Sequence, residues 1–277
     1  MDSIRRSLLA LALPAAGVFG LATLAGAQSA AGLRFTDVTA ASGITFRHTT
    51  GGFGQKWLPE TMGSGVVVFD ANGDDRLDLL FLNGTRFPGR PGQSATQAFY
   101  QNLGGMRFRD ATREAGLALD AYCMGGGAGD LDNDGDADLY VSCVGRDYLL
   151  LNEGGRFVDV SAAAGLSRVY EFGASVALFD ADRDGWLDIL ALRYVTWTPE
   201  SDLYCTLDGR SKSYCTPESY QGASPRLYRN RGDGTFEDRT RAAGIEKPAA
   251  KSLGVAILDL DDDGWLDAAL ANDTQPN

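Results

Sequence analysis

Short apolar runs recur along the chain, and each stops at an aspartate: Val66–Phe69 before Asp70, Val176–Phe179 before Asp180 and Val255–Leu258 before Asp259. After each acidic stretch an apolar run resumes at Leu79, Ile189 and Ala268, and a further acidic stretch at Asp130 is followed by Leu139-Tyr-Val in the same way. Runs this short, bounded by turn residues, predict strands. A second phrase interleaves with the first at Tyr100–Leu117, Leu151–Leu166 and Tyr228–Ile245. Each copy reads as a strand, a Gly-rich hairpin turn and a second strand ending at Asp110, Asp159 or Asp238. A half-copy, Phe35–Ile44, precedes them. One acidic loop plus one hairpin makes a four-stranded unit, the content of a β-propeller blade.

The acidic loops start at 70, 130, 180 and 259, so the intervals are 60, 50 and 79 residues. The last interval is lengthened by a cysteine-bearing insertion at 193–225. A blade cannot bury both faces alone, so blades stack around an axis. The expectation is an all-β fold, a β-propeller of four-stranded blades over 28–277. About three full blades and part of a fourth are expected, because the sequence stops soon after the fourth acidic loop. That reads as the N-terminal part of a longer protein or a truncated product.

Composition narrows the chemistry. With 277 residues and 44% hydrophobic content the chain can bury one or two cores, which excludes disorder as its main state. Lys plus Arg is 25 against 37 Asp plus Glu, a formal charge of -12, so no nucleic-acid partner is expected. His48 is the single histidine. That removes multi-His zinc sites and leaves little for Ser-His-Asp chemistry, and His48 itself reads as a surface residue. Glycine is abundant at 35 residues, as tight turns require.

Each acidic loop puts oxygen side chains at its positions 1, 3, 5 and 9. These are Asp70, Asn72, Asp74 and Asp78; Asp130, Asp132, Asp134 and Asp138; Asp180, Asp182, Asp184 and Asp188; Asp259, Asp261, Asp263 and Asp267. Carboxylates so crowded repel one another, and a hard cation that takes 6 to 8 oxygen ligands resolves the repulsion. Calcium fits best, up to four ions, with the position 7 carbonyl as a further donor; magnesium wants a tighter octahedron. Gly135, Gly185 and Gly264 at position 6 permit the sharp turn, whereas the first loop has Gly73 at position 4 and Asp75 at position 6. An EF-hand would need Glu at position 12, where the chain has Phe81, Val141, Ala191 and Leu270. One such loop would be a solvated turn, but four in register with matching flanks point to metal. The loops hold 18 of the 37 acidic residues, and four calcium ions would take the charge from -12 to about -4.

Arg5 and Arg6, an apolar run from Leu8 to Leu24 and Ala25-Gly26-Ala27 have the order of a cleavable export signal over 1–27, by the Sec or the Tat route. No run of 18 apolar residues follows position 28, so no membrane insertion is expected after cleavage, and the mature chain is expected to be secreted, periplasmic or extracellular. An oxidising compartment makes disulfides available to the four cysteines. Proximity pairs Cys205 with Cys215 and Cys123 with Cys143, although four cysteines allow three connectivities and unpaired burial is the stronger alternative for Cys123 and Cys143.

Phe172–Gly185 resembles an FG-GAP repeat, also described as VCBS-type, of integrin α-like propellers. Leu227–Asp238, Cys215-Thr-Pro and Ala271–Asn277 resemble, more narrowly, the family of secreted proteins related to cartilage acidic protein 1. The resemblance implies calcium in the Asp-rich loops, and a C-terminal ASPIC/UnbV module in longer members that is absent here. The remaining motifs add little. Arg231-Gly-Asp233 falls in a hairpin turn, Asn83 and Asn272 match a short glycosylation pattern, and Gly125–Gly129 reads as a packed inner strand, not a phosphate loop. Trp186 and Trp265 are placed to cover their loops. The function expected is a binding, adhesion or scaffold module for a protein or glycan ligand on a propeller face, with structural calcium and no catalytic residue. The alternative is a carbohydrate-active hydrolase or lyase using loop carboxylates.

Overall fold

The computed structural model describes residues 33–166 and 170–276; the expected export segment, 1–27, and the start at Gln28 lie outside them. The antiparallel strands follow the two interleaved phrases. β1 (Val66–Phe69), β2 (Asp78–Phe81), β3 (Ala98–Asn102) and β4 (Phe108–Asp110) form one up-and-down meander. β5 (Tyr122–Gly129), β6 (Asp138–Gly145), β7 (Tyr148–Asn152) and β8 (Phe157–Asp159) form a second. The third opens with β9 (Glu171–Phe179) and β10 (Asp188–Arg193). An insertion with a two-stranded ladder, β11 (Cys205–Thr206) and β12 (Lys212–Ser213), intervenes before β13 (Arg226–Asn230) and β14 (Phe236–Asp238) complete it. A fourth hairpin, β15 (Ser252–Leu258) and β16 (Asp267–Asn272), follows. The architecture is all-β, three four-stranded blades and the first two strands of another. Among the described residues α-helix is confined to one turn, α1 (Thr39–Ser42).

The first strands of successive blades lie side by side, β1 beside β5, β5 beside β9 and β9 beside β15. Such close approach explains the glycines there. A Cβ on Gly125 would stand 2.0 Å from the Ala174 carbonyl oxygen, and one on Gly173 would stand 2.2 Å from Ser142 Oγ. The Gly125–Gly129 run is thus an inner strand. Each interface between blades has its own core. Phe69, Phe99 and Phe157 meet between the first and second; Leu131, Tyr140, Leu149 and Ile189 meet between the second and third. Phe179, Leu190 and Leu192 pack toward Leu253, Val255 and Ile257 of the fourth hairpin. Each large side chain fully buried this way contributes about 1.5–3 kcal/mol.

Polar contacts fix the stagger of the blades. Asn152 Nδ2 donates to the Ala71 carbonyl across the first interface at 2.9 Å, and Asn230 Nδ2 donates to the Leu131 carbonyl across the second at 2.7 Å. Arg193, only 2% exposed, is satisfied between the second and third blades by Asp147, Glu171 and Ser142. The turn after each hairpin also stacks on the next repeat. A Cβ on Gly116 would lie 2.7 Å from the Phe157 carbonyl oxygen, and a Cβ on Gly43, at the end of the half-copy, would lie 2.7 Å from that of Phe108. The turn Thr39–Gly43 therefore stands to Phe108 of the first blade as the turn at Gly116 stands to Phe157 of the second.

At the strand ends away from the acidic loops, three irregular segments converge on an aromatic cluster. Trp57 precedes β1, Phe87 follows β2, and Trp197 and Tyr220 belong to the insertion. The Trp57 and Trp197 rings stand 5.7 Å apart, and Phe172 packs on Trp197 at 6.2 Å. Cys205 and Cys215 are bonded and close the insertion, with Cys215 buried in the cluster. Cys123 and Cys143, directly opposed in the β5–β6 register, are bonded as well, so the alternative of unpaired cysteines does not hold for them.

Candidate metal centres in the acidic loops

The acidic loops are the connections β1–β2, β5–β6, β9–β10 and β15–β16, all on the same end of the blades. One hydrogen-bond scheme recurs in each. The position 1 carboxylate accepts from the backbone N–H groups of positions 5 and 6: Asp130 from Asp134 and Gly135 at 3.1 and 3.0 Å, Asp180 from Asp184 and Gly185 at 3.1 and 2.9 Å, Asp259 from Asp263 and Gly264 at 3.2 and 2.8 Å. In the first loop Asp70 takes the same bonds from Asp74 and Asp75 at 3.2 and 2.7 Å. The position 5 carboxylate accepts from the position 7 N–H, as Asp184 does from Trp186 at 3.0 Å. The buried position 9 carboxylates accept from position 2 and from the hairpin asparagine. Asp138 takes N–H bonds from Leu131 and Asn152, both at 2.8 Å, and Asp188 from Ala181 and Asn230 at 3.1 and 2.8 Å.

This wrapping requires two left-handed residues per loop. Position 6 is left-handed in all four, at Asp75, Gly135, Gly185 and Gly264. Position 4 is left-handed too, at Gly73, Asn133, Arg183 and Asp262. The first loop therefore keeps the common backbone with its glycine moved from the second left-handed position to the first. Asn133 and Asp262 are side chains that tolerate this region, the one sequence signal for position 4.

The carboxylate geometry separates the loops. In the second, Asp130, Asp132 and Asp138 bring one oxygen each within 4.8 Å of one another; in the third Asp180, Asp182 and Asp184 do so, and in the fourth Asp259, Asp261 and Asp263. The first loop forms no such group among the described residues. There Asn72 Nδ2 donates to Asp74 at 3.1 Å, and the Arg76 guanidinium pairs with Asp74. In the third loop the Arg229 guanidinium, from β13, spans Asp182 and Asp184. Asp134, Asp188 and Asp267, and the first loop's Asp70, Asp74 and Asp78, lie in their loops at the expected positions without joining these groups.

Burial pushes the Asp138 carboxyl up to about 6, its two backbone hydrogen bonds opposing and Asp132 and Asp134 adding to the rise. Burial likewise raises Asp188 and Asp78. Asp132 is raised by burial and then by the neighbouring Asp134. Asp70 differs: burial pushes it up, but four backbone N–H groups outweigh this and hold it low. In the second loop, the raised carboxyls of Asp132 and Asp138 gathered with Asp130 are an all-oxygen donor set that suits a hard divalent cation. The tryptophans at position 7 take up side positions. Trp186 lies against Gly232 of the next hairpin, and Trp265 carries the Arg183 guanidinium over its ring at 3.9 Å. His48 is exposed at the other end of the chain's first blade.

Comparison with known proteins agrees with the repeat. A family model described as an FG-GAP-like repeat matches residues 202–270, from the insertion through the fourth acidic loop. The chain thus carries an FG-GAP-like repeat within an all-β, blade-built fold. It is similar to cartilage acidic protein 1: 28% identical to that of Mus musculus over 155 residues, 54% of this chain and 24% of the relative. With the Xenopus tropicalis protein the identity is 26% over 198 residues, 57% of this chain and 30% of the relative. The chain spans about a quarter of the length of these curated relatives. Among solved structures it aligns with an Agrocybe aegerita lectin, described as recognising non-reducing terminal N-acetylglucosamine, at 18% identity and a TM-score of 0.36, over 73% of this chain and 44% of that one.

Proposed function

We propose that the chain is an exported, calcium-stabilised propeller module that binds a protein or glycan on a propeller face and has no catalytic residue of its own. The observation that carries this reading is the fourfold acidic loop, three copies of which gather three carboxylates within 4.8 Å. The sixteen side chains at positions 1, 3, 5 and 9 are the ones that would hold the ions. A bound cation would supply charge neutralisation at these carboxylates. The chain's own contribution is to fix the donors beforehand. The position 1 and 5 carboxylates are held by backbone N–H groups, and position 9 ties the loop to its hairpin through Asn152 or Asn230. Assigning the loop side chains at positions 1, 3, 5 and 9 to metal leaves none of those carboxylates for acid and base chemistry. The two disulfides support export, since such bonds persist in oxidising compartments. No described helix is long and apolar enough to cross a membrane.

Thermal unfolding of the purified chain in excess EDTA and in millimolar Ca²⁺ tests the reading. A site at a hundred times its dissociation constant adds about 2.7 kcal/mol, so several sites raise the midpoint by many degrees. An equal midpoint in both, in a sample that unfolds cooperatively, overturns calcium stabilisation.

A further inference from the structure

The four loops share a backbone but not a charge balance. Loops 130–138 and 259–267 each hold five aspartates and no basic residue, while loops 70–78 and 180–188 each hold four aspartates and one arginine. Guanidinium ion pairs reach carboxylates of the first and third loops, while Arg183 of the third loop stacks on Trp265 of the fourth. Arg76 pairs with Asp74 inside the first loop, and Arg229 reaches from β13 to bridge Asp182 and Asp184, two of the three clustered carboxylates of the third. The residues at the place of Arg229 in the first and second blades are Gln101 and Leu151, each just before the hairpin asparagine. In the second and fourth loops no arginine or lysine pairs with a position 1, 3, 5 or 9 carboxylate among the described residues.

We propose that the acidic loops are two functional pairs, the second and fourth dependent on a divalent cation and the first and third carrying an internal counter-charge that a cation must displace. Arg229 is the positioning residue that sets the difference for the third loop. The inference rests on the calcium reading above. It deepens that reading by stating how many ions the blades hold tightly and which side chains decide it. A cation entering the third loop meets carboxylates already neutralised and breaks two charge-assisted hydrogen bonds. One entering the fourth loop relieves repulsion among three carboxylates that have no such partner. Arg183 does not neutralise its own loop; its guanidinium is stacked on Trp265 of the fourth.

The position 7 tryptophans weight the two loops differently, Trp186 lying in the third and Trp265 in the fourth. Terbium, a calcium substitute, luminesces when a nearby tryptophan is excited, and the chain has four tryptophans: Trp57, Trp186, Trp197 and Trp265. The variant W265F leaves Trp186, in the third loop and beside the second, as the reporter; W186F leaves Trp265, in the fourth loop with Arg183 of the third on its ring; and W186F/W265F is the blank. The fourth loop is expected to half-saturate at about fivefold lower terbium than the third, an exposed pair of this kind being worth up to about fivefold. Adding Arg229→Gln to W265F is expected to close that gap. Adding it to W186F leaves the fourth-loop titration unchanged, which also shows that the substituted protein is folded. Equal affinities in the two loops, or no effect of Arg229→Gln on the third, overturns the proposal while leaving calcium binding intact. No calcium-displaceable luminescence from either loop, together with no midpoint shift between EDTA and calcium, overturns the calcium reading itself and this inference with it.

Discussion

The two ends of the same strands are held by different physics. At one end four short loops carry most of the crowded charge, are built from local hydrogen bonds, and repeat almost residue for residue. At the other end nothing repeats: Trp57, Phe87, Trp197 and Tyr220 come from three unrelated connections and pack into one aromatic core. The first end is ordered by short-range geometry and crowds three carboxylates together in three of its four loops. The second is an apolar core stabilised by burial, with the buried Glu60 Oε1 beside it lacking a hydrogen-bond partner among the described residues.

The sharpest way to break this comparison is Trp197→Ala. Trp197 is 1% exposed and joins the pre-β1 segment to the insertion, with its Nε1 donating to Asp202 at 2.7 Å. Truncation is expected to cost about 3–5 kcal/mol of stability. Because the cluster touches no acidic loop, the terbium titrations of the third and fourth loops should be unmoved. A weakened metal titration in a folded Trp197→Ala protein would show that the two ends are coupled.

A smaller effect is expected from Asn152→Ala, which removes the side chain that donates to Ala71 and Ala137 carbonyls at 2.9 and 3.1 Å. Leaving buried carbonyls unpaired costs about 1–3 kcal/mol. The backbone N–H that holds Asp138 survives the substitution. Denaturant unfolding in EDTA and in Ca²⁺ should therefore show the same loss in both. A loss seen only in calcium would assign Asn152 to the metal centre and not to the seam between blades.

What the sequence made legible follows the same division. The blades were readable because aspartate and glycine types carry the loop in short range, so that Asp130 to Asp138 is recognisable without knowing what lies beside it. Even the left-handed position 4 had a weak signal at Asn133 and Asp262, though none at Arg183. The asparagine before each Gly-rich turn recurs at 102, 152 and 230, yet its bond to the preceding blade is a contact over 81 residues in the case of Asn152 and Ala71. The Arg229 bridge, 47 residues from Asp182, has no periodicity to announce it. The aromatic end was illegible for the same reason in stronger form: Trp57 and Trp197 sit in polar connections, and only the fold brings them together.

The smallest expected effect is a slope of stability on pH, and its sign tells the two ends apart. In metal-free protein the Asp138 carboxyl is pushed up to about 6, so between the ordinary carboxylate value of 3.8 and about 6 the fold holds a proton that the unfolded chain has released. Its contribution therefore falls as pH rises through that window. Asp188 and Asp78, also raised by burial, act in the same direction. Asp159 opposes them: burial would raise it, but Ser161 and Arg146 hold it low, so its contribution is lost as pH falls below the ordinary value. With calcium bound, the loop carboxylates must be charged, and stability should rise with pH over the same window. The unfolding midpoint followed from pH 4 to 7 should then run with opposite slopes in EDTA and in Ca²⁺, the contribution of Asp159 cancelling between the two curves. Trp197→Ala should lower both curves without changing either slope, since the aromatic end holds no ion. Parallel slopes in EDTA and calcium would mean that the buried carboxylates are not where the cation acts.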